Sequence, residues 1–292
     1  MESLLYFAKK LKYTYIIALL LSFFSCDRAP KRLSDSLSYL EKRNLEQFFH
    51  QLILQEGAGY TLFGNKPMTE VLLPPKQLSS LDADTALKNF FSFLTKEQRN
   101  HSIWREDHLN LGWECWEKIA NRFPSNKYLL VKKTLISPYI NESDMECLIL
   151  VNREELKYVL DRYHDDFTQV IGNPFNSLEV INELSSSDSY FWNAVFSHEA
   201  LTGIVLGYGY MNAWMYHWKK QYENNNNEQG EYFSNLSLHM NESSDETQYP
   251  LPKFGYVDPL MRQQYEYIQK KIIEAYKDGD FLEITLRQFI AL

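Results

Sequence analysis

The chain has 292 residues, 45% of them apolar and 15% aromatic, with a formal charge of −8. That much apolar material builds a substantial core and excludes a wholly disordered chain. The acidic balance argues against a general nucleic-acid binder, which needs Lys and Arg to neutralise phosphates, and equally against an anionic lipid surface as the main partner.

Lys9, Lys10 and Lys12 precede an apolar stretch from Tyr13 to Phe24, broken only by Thr14 and Ser22. A charged start followed by roughly 7–15 apolar residues is the pattern of a secretory signal, and the run falls short of the roughly 20 residues that span a bilayer. Polarity rises abruptly after Ser25-Cys26, at Asp27-Arg28. Ser25-Cys26 resembles the lipobox of bacterial lipoproteins, in which a small residue before the cysteine lets the signal peptidase cut and the sulfur carries a diacylglycerol. Phe23 and Phe24 depart from that family's usual Leu and small residue at those positions. The resemblance implies a signal peptide over 1–25, cleavage between Ser25 and Cys26, lipidation of Cys26, and a lipid-anchored tether over 26–32 in the bacterial cell envelope. From the residues alone, an uncleaved signal-anchor helix is the alternative.

Leu33 to Ile53 carries leucines and phenylalanines at spacings of three and four, the pattern of an amphipathic helix that Gly57 stops. The glycine-punctuated stretch Gly57 to Met68 reads as a short strand and turn. Ser80 or Asp82 caps a second helix through Leu94, and a third carries Trp104, Trp113 and Trp116 until Pro124 ends it. Lys127 to Ile136 and Met145 to Val151 read as two strands whose short link predicts an antiparallel hairpin. Cys115 and Cys147 sit in these helix-like and strand-like surroundings, which suit buried thiols; a bridge between them is the alternative in an oxidising compartment.

Asn152 with Glu155 forms a capping-box-like start to a helix reaching Val170. A short helix over Asn176 to Leu184 leads to the longest helical signal, Ser189 to Tyr222. The polar stretch 223–252 predicts an exposed loop, and Asp258 to Leu292 predicts two helices divided at Asp278-Gly279-Asp280. Tyr249, Phe254 and Tyr256 beside that loop suit either a binding surface or a staple for the loop. The sum is one mainly helical α+β domain over 33–292, its helices packed with a small antiparallel β-hairpin or sheet.

The most distinctive segment is His198-Glu199-Ala200-Leu201-Thr202-Gly203-Ile204-Val205-Leu206-Gly207-Tyr208-Gly209. A zinc-protease helix needs a second His at 202, which is Thr, and a dinucleotide loop needs a Gly at 212, which is Asn. Ala200, Gly203 and Gly207 fall on one helical face, where small residues let a neighbouring helix approach closely, with a kink at Gly207 to Gly209. The stretch from Ala200 to Met215 is too short and polar for a membrane span. A His198/Glu199 pair suits acid–base work in an envelope hydrolase, and equally a hydrogen-bonded pair inside a packed helix. His164-Asp165-Asp166 reads as a solvated helix end. No metal, no cofactor and no nucleic-acid partner is expected.

Two segments, Gly59 to Met68 and His198 to Tyr216, resemble uncharacterised lipoproteins of chlamydia-like intracellular bacteria. That likeness implies the envelope and adds no catalytic residue. The expectation is a membrane-tethered envelope protein that binds a protein or peptide partner without catalysing a reaction, with the His198/Glu199 hydrolase as its rival.

Overall fold

The computed structural model describes residues 32–73, 96–135, 145–226, 251 and 259–290. The chain divides into two compact units, one ending at Ser36 and the other running from Leu37 to Leu292. Leu33–Ser36 forms a 3₁₀ turn closed by the Ser36 hydroxyl, which donates to the Leu33 carbonyl at 2.7 Å. The amphipathic helix expected from Leu33 therefore begins later, as α1 (Tyr39–Phe49). Ser38 sets that start through a reciprocal capping box: its hydroxyl accepts from the Glu41 amide, and the Glu41 carboxylate accepts from the Ser38 amide at 2.6 Å. A π-helical turn, His50–Gln55, follows, and Gly57 ends it at a left-handed φ of +76°.

Gly59–Leu62 is a helical turn, α2, where a short strand was expected. The reason is packing. Tyr60, Thr61 and Leu62 are all buried, so no side of this segment faces water as a half-exposed strand would. The strand comes immediately afterwards, β1 (Met68–Leu72), tied back to α2 by the Thr61–Thr69 hydroxyl pair at 2.8 Å.

Next come α3 (Lys96–Ile119), the 3₁₀ turn Ala120–Arg122, and the hairpin β2 (Tyr128–Leu135) and β3 (Met145–Asn152). The sheet order is β1-β3-β2, antiparallel throughout, with Glu70 opposite Ile149 and Val131 also opposite Ile149. Register gives the sheet two apolar faces. On one, Tyr128 lies against Phe289, Phe289 against Trp116, and Trp116 against Phe49, an aromatic chain linking the sheet to α1, α3 and the C-terminal helix. Gly112 lets α1 and α3 close up, since a Cβ there would sit 2.1 Å from Phe48.

On the other face, Val131, Cys147, Ile149 and Val151 join a second core with helices α4 (Arg153–Arg162), α5 (His164–Ile171), α6 (Ser177–Asn182), α7 (Tyr190–Phe196), α8 (Glu199–Val205) and α9 (Tyr210–Asn226). Two expected long helices are interrupted here. The one from Asn152 breaks at Tyr163, and the one from Ser189 divides into α7, α8 and α9. Asn152 does cap α4, accepting from the Glu155 amide at 3.3 Å. The chain closes with α10 (Pro259–Tyr276) and α11 (Phe281–Ile290), separated at Asp278–Asp280. Helices on both faces of a three-stranded antiparallel sheet make this a mainly helical α+β fold. The helix expected over Ser80 to Leu94 lies outside the described residues, as do Tyr249, Phe254 and Tyr256 and all of the 223–252 loop except Glu223–Asn226, which extends α9, and Leu251.

Candidate functional site

The segment His198–Tyr216 folds as a helix, a glycine turn and a second helix, and each break has a local cause. The Ser197 hydroxyl donates to the Asn193 carbonyl at 2.7 Å and closes α7. His198 is extended, with φ −123° and ψ 110°, and its ring Nδ1 accepts from the Leu201 amide at 3.4 Å. An imidazole thus occupies the N-cap position that Ser, Thr, Asp or Asn usually fills. Helix α8 ends at a left-handed Gly207, φ +78°, where the Gly207 amide returns to the Ile204 carbonyl and the Tyr208 amide to the Gly203 carbonyl, each at 3.0 Å. That is the Schellman pattern, in which glycine takes a conformation other residues resist.

Ala200 and Gly203 are buried, and Gly203 is the contact point with α9: a Cβ there would lie 2.8 Å from the Ala213 Cβ. Gly207 does not share this helical face, contrary to the expectation, because it lies beyond the end of α8. Its close neighbours are Lys66, Pro67 and the Tyr265 hydroxyl, the last of which donates to the Gly207 carbonyl at 3.0 Å. Gly209, φ +81°, lies under Met261 of α10. The two segments singled out by sequence, Gly59–Met68 and His198–Tyr216, therefore meet at Gly207.

Around this junction lie several ionisable side chains. Burial lowers the Lys66 amine to about 8 and raises the Glu70 carboxyl above its ordinary value. Burial, followed by the Glu70 charge, also raises the Tyr208 phenol. Tyr60 and Tyr265 pack ring against ring, centroids 5.1 Å apart, beneath them.

On the far side of α8, Glu199 is held by His217 of α9, Nδ1 to Oε2 at 2.8 Å, with both side chains largely buried. The His198 ring stacks on that of His217 with centroids 4.3 Å apart and an interplanar angle of 23°. Trp214 presents itself edge-on to both imidazoles, at 5.7 Å and 5.6 Å. Burial first, then the His217 charge, lowers the His198 ring below the usual histidine range, against a smaller opposing effect of Glu199. His217 went unnoticed in the sequence because it lies 18 residues from Glu199, on a separate helix.

The arrangement can move a proton between Glu199 and His217. It offers no nucleophile: among the described residues no Ser, Thr or Cys side chain bonds to His198 or His217, and the nearby Thr202 hydroxyl donates to the Val195 carbonyl at 2.8 Å. His164, Asp165 and Asp166 form the first turn of α5, a helix end as expected, with Asp165 exposed and Asp166 accepting from the Tyr210 hydroxyl at 3.0 Å. Among the described residues no group of three or more His, Cys, Asp or Glu side chains is placed to hold a metal ion. Cys115 and Cys147 are free thiols. Among the described residues no helix is long and apolar enough to cross a membrane, and the Ala200–Met215 stretch is divided between α8 and α9. Ser25 and Cys26 lie outside the described residues.

Comparison with protein-family models, with curated proteins and with solved structures finds no match.

Proposed function

We propose that this chain is a bacterial envelope lipoprotein, tethered through a lipid on Cys26, whose helical body binds a protein or peptide partner and performs no catalysis. The observation that supports the tether is the sequence order: three lysines, the Tyr13–Phe24 apolar run, Ser25-Cys26, and an abrupt polar start at Asp27. Support for binding comes from α9. Met211, Trp218 and Tyr222 follow one another at helical spacing and are 54%, 57% and 43% exposed. Large apolar side chains aligned on one face of a helix and left in water are a common mark of an interaction surface.

The hydrolase reading keeps one favourable observation, the Glu199–His217 bond, because a carboxylate-held imidazole is suited to general-base work. Among the described residues it has no bonded nucleophile, and His198 is occupied in capping α8.

Replacing Met211 and Trp218 together by Glu tests the binding reading. The variant should fold with unchanged far-ultraviolet circular dichroism and lose the crosslinked species that the wild-type protein forms in the envelope. An unchanged crosslinking pattern would count against α9 as the binding surface. A His217→Ala protein that loses an ester- or peptide-hydrolysing activity present in the wild type would favour the hydrolase.

A further inference from the structure

We propose that the stacked His198 and His217 rings form an acid-sensitive latch that holds α9 on α8 near neutral pH and loosens on acidification. The geometry carries this in three parts. His198 Nδ1 must be unprotonated to accept the Leu201 amide, so adding a proton there removes the α8 cap. The two rings face one another at 4.3 Å, so charging His198 sets it against His217 in a largely buried place. The connection between α8 and α9 is a short turn through Gly207 and Gly209, held by Tyr265 and Met261, so the contact that opens lies at the level of His198 and His217, away from the turn.

Among the described residues the groups that act on His198 are few. From α9 comes His217, which opposes its protonation, and from α8 comes Glu199, which favours it but is already bonded to His217. Helix α7, packed before α8, carries no charged residue, and its one ionisable side chain, Tyr190, donates to the Ile171 carbonyl. The charged residues of α4 are engaged elsewhere: Arg153 with Asn182, Glu154 with Lys127, Glu155 beside the same Lys127, Lys157 with Asp161, and Arg162 with the Tyr158 hydroxyl. Burial holds the ring neutral in the folded state, so the closed contact is favoured above the ordinary histidine range and weakens as pH falls through it. What the latch governs is α9, the helix that bears the exposed Met211, Trp218 and Tyr222. The latch itself does not depend on the lipid or on the partner.

Hydrogen exchange on the full chain tests it, compared at about pH 7.5 and about pH 5 after correction for intrinsic exchange rates. The wild-type amides of Leu201, Thr202 and the turn of α9 around His217 should lose protection by about tenfold or more at the lower pH. His198→Asn keeps a side-chain oxygen at the cap and cannot take up a proton, so its protection should be independent of pH in this range. Equal wild-type protection at both pH values, or an acid response in His198→Asn equal to that of the wild type, would overturn the latch. A second measurement serves if that variant does not fold. In His217→Asn the His198 ring, followed by NMR, should titrate at a higher pH than in the wild type, and an unchanged titration would also overturn it.

Discussion

Gly203 of α8 lies directly against Ala213 of α9: a Cβ built on the glycine would be 2.8 Å from the Ala213 Cβ and 3.2 Å from its Cα. No flexible side-chain end is available to give way. In an exposed helix, Gly→Ala gains about 1 kcal/mol of helix propensity, but overpacking of this kind costs about 1–3 kcal/mol. Gly203→Ala should therefore lower the melting temperature, and Gly203→Val should lower it much further. Adding Ala213→Gly to Gly203→Ala should recover part of the loss. Calorimetry on the three variants checks this, and strict additivity in the double variant would show that the two residues are not in contact.

The core on the α4–α9 face of the sheet is anchored by Trp192, which is fully buried and donates its indole N–H to the Val180 carbonyl. Trp192→Ala should cost about 3–5 kcal/mol in chemical denaturation. Trp192→Phe preserves much of the volume but leaves the Val180 carbonyl unpaired, so it should still cost about 1–3 kcal/mol. If Phe were neutral, the hydrogen bond would contribute nothing.

Lys66 gives a pH prediction with a definite sign. Burial lowers its folded-state value to about 8, while the unfolded chain keeps the ordinary lysine value of 10.5. Between those values the unfolded state binds the extra proton, so wild-type stability should rise as pH increases through this window. Lys66→Met removes the buried ammonium and should be more stable near pH 7 by on the order of 2 kcal/mol. That advantage should shrink as pH rises from about 8 to about 10.5. Urea titrations across the range check it. A gap that widened with pH would contradict the burial of this amine.

The thiols should differ in reactivity. Cys147 is fully buried in β3, and burial raises its thiol far above the ordinary value; Cys115 on α3 is half-buried and is raised by burial and by Glu41. Under native conditions a thiol reagent should modify Cys115 slowly and leave Cys147 untouched until the protein unfolds. Peptide mapping after timed labelling distinguishes them.

What the sequence made legible follows from how local its signals are. Strands β2 and β3, the Asn152 cap, the Gly57 stop and the division at Asp278–Asp280 each depend on residues within a few positions, and each was readable. Strand β1, Met68–Leu72, is too short to show a period, and its place is set by pairing with β3 across about eighty residues. The break between α7 and α8 was hidden because histidine is an uncommon N-cap, so an apolar pattern seemed to run on unbroken from Ser189 to Tyr222. His198 and Glu199 were singled out, but His217, which gives both of them their surroundings, enters only when α9 folds back on α8. The break at Gly207 to Gly209 is legible in its glycines, but Gly207 lies past the end of α8 and packs against Lys66, Pro67 and Tyr265, off the face that Ala200 and Gly203 share.

The proposed membrane tether depends on the fate of Cys26. Intact mass spectrometry of the protein from a membrane fraction should show the loss of residues 1–25 and an N-terminal Cys26 carrying acyl chains, which anchor at about 0.8 kcal/mol per buried CH₂. A mature chain that retains residues 1–25, or a Cys26→Ser protein that is processed and partitions into the membrane as the wild type does, would contradict it.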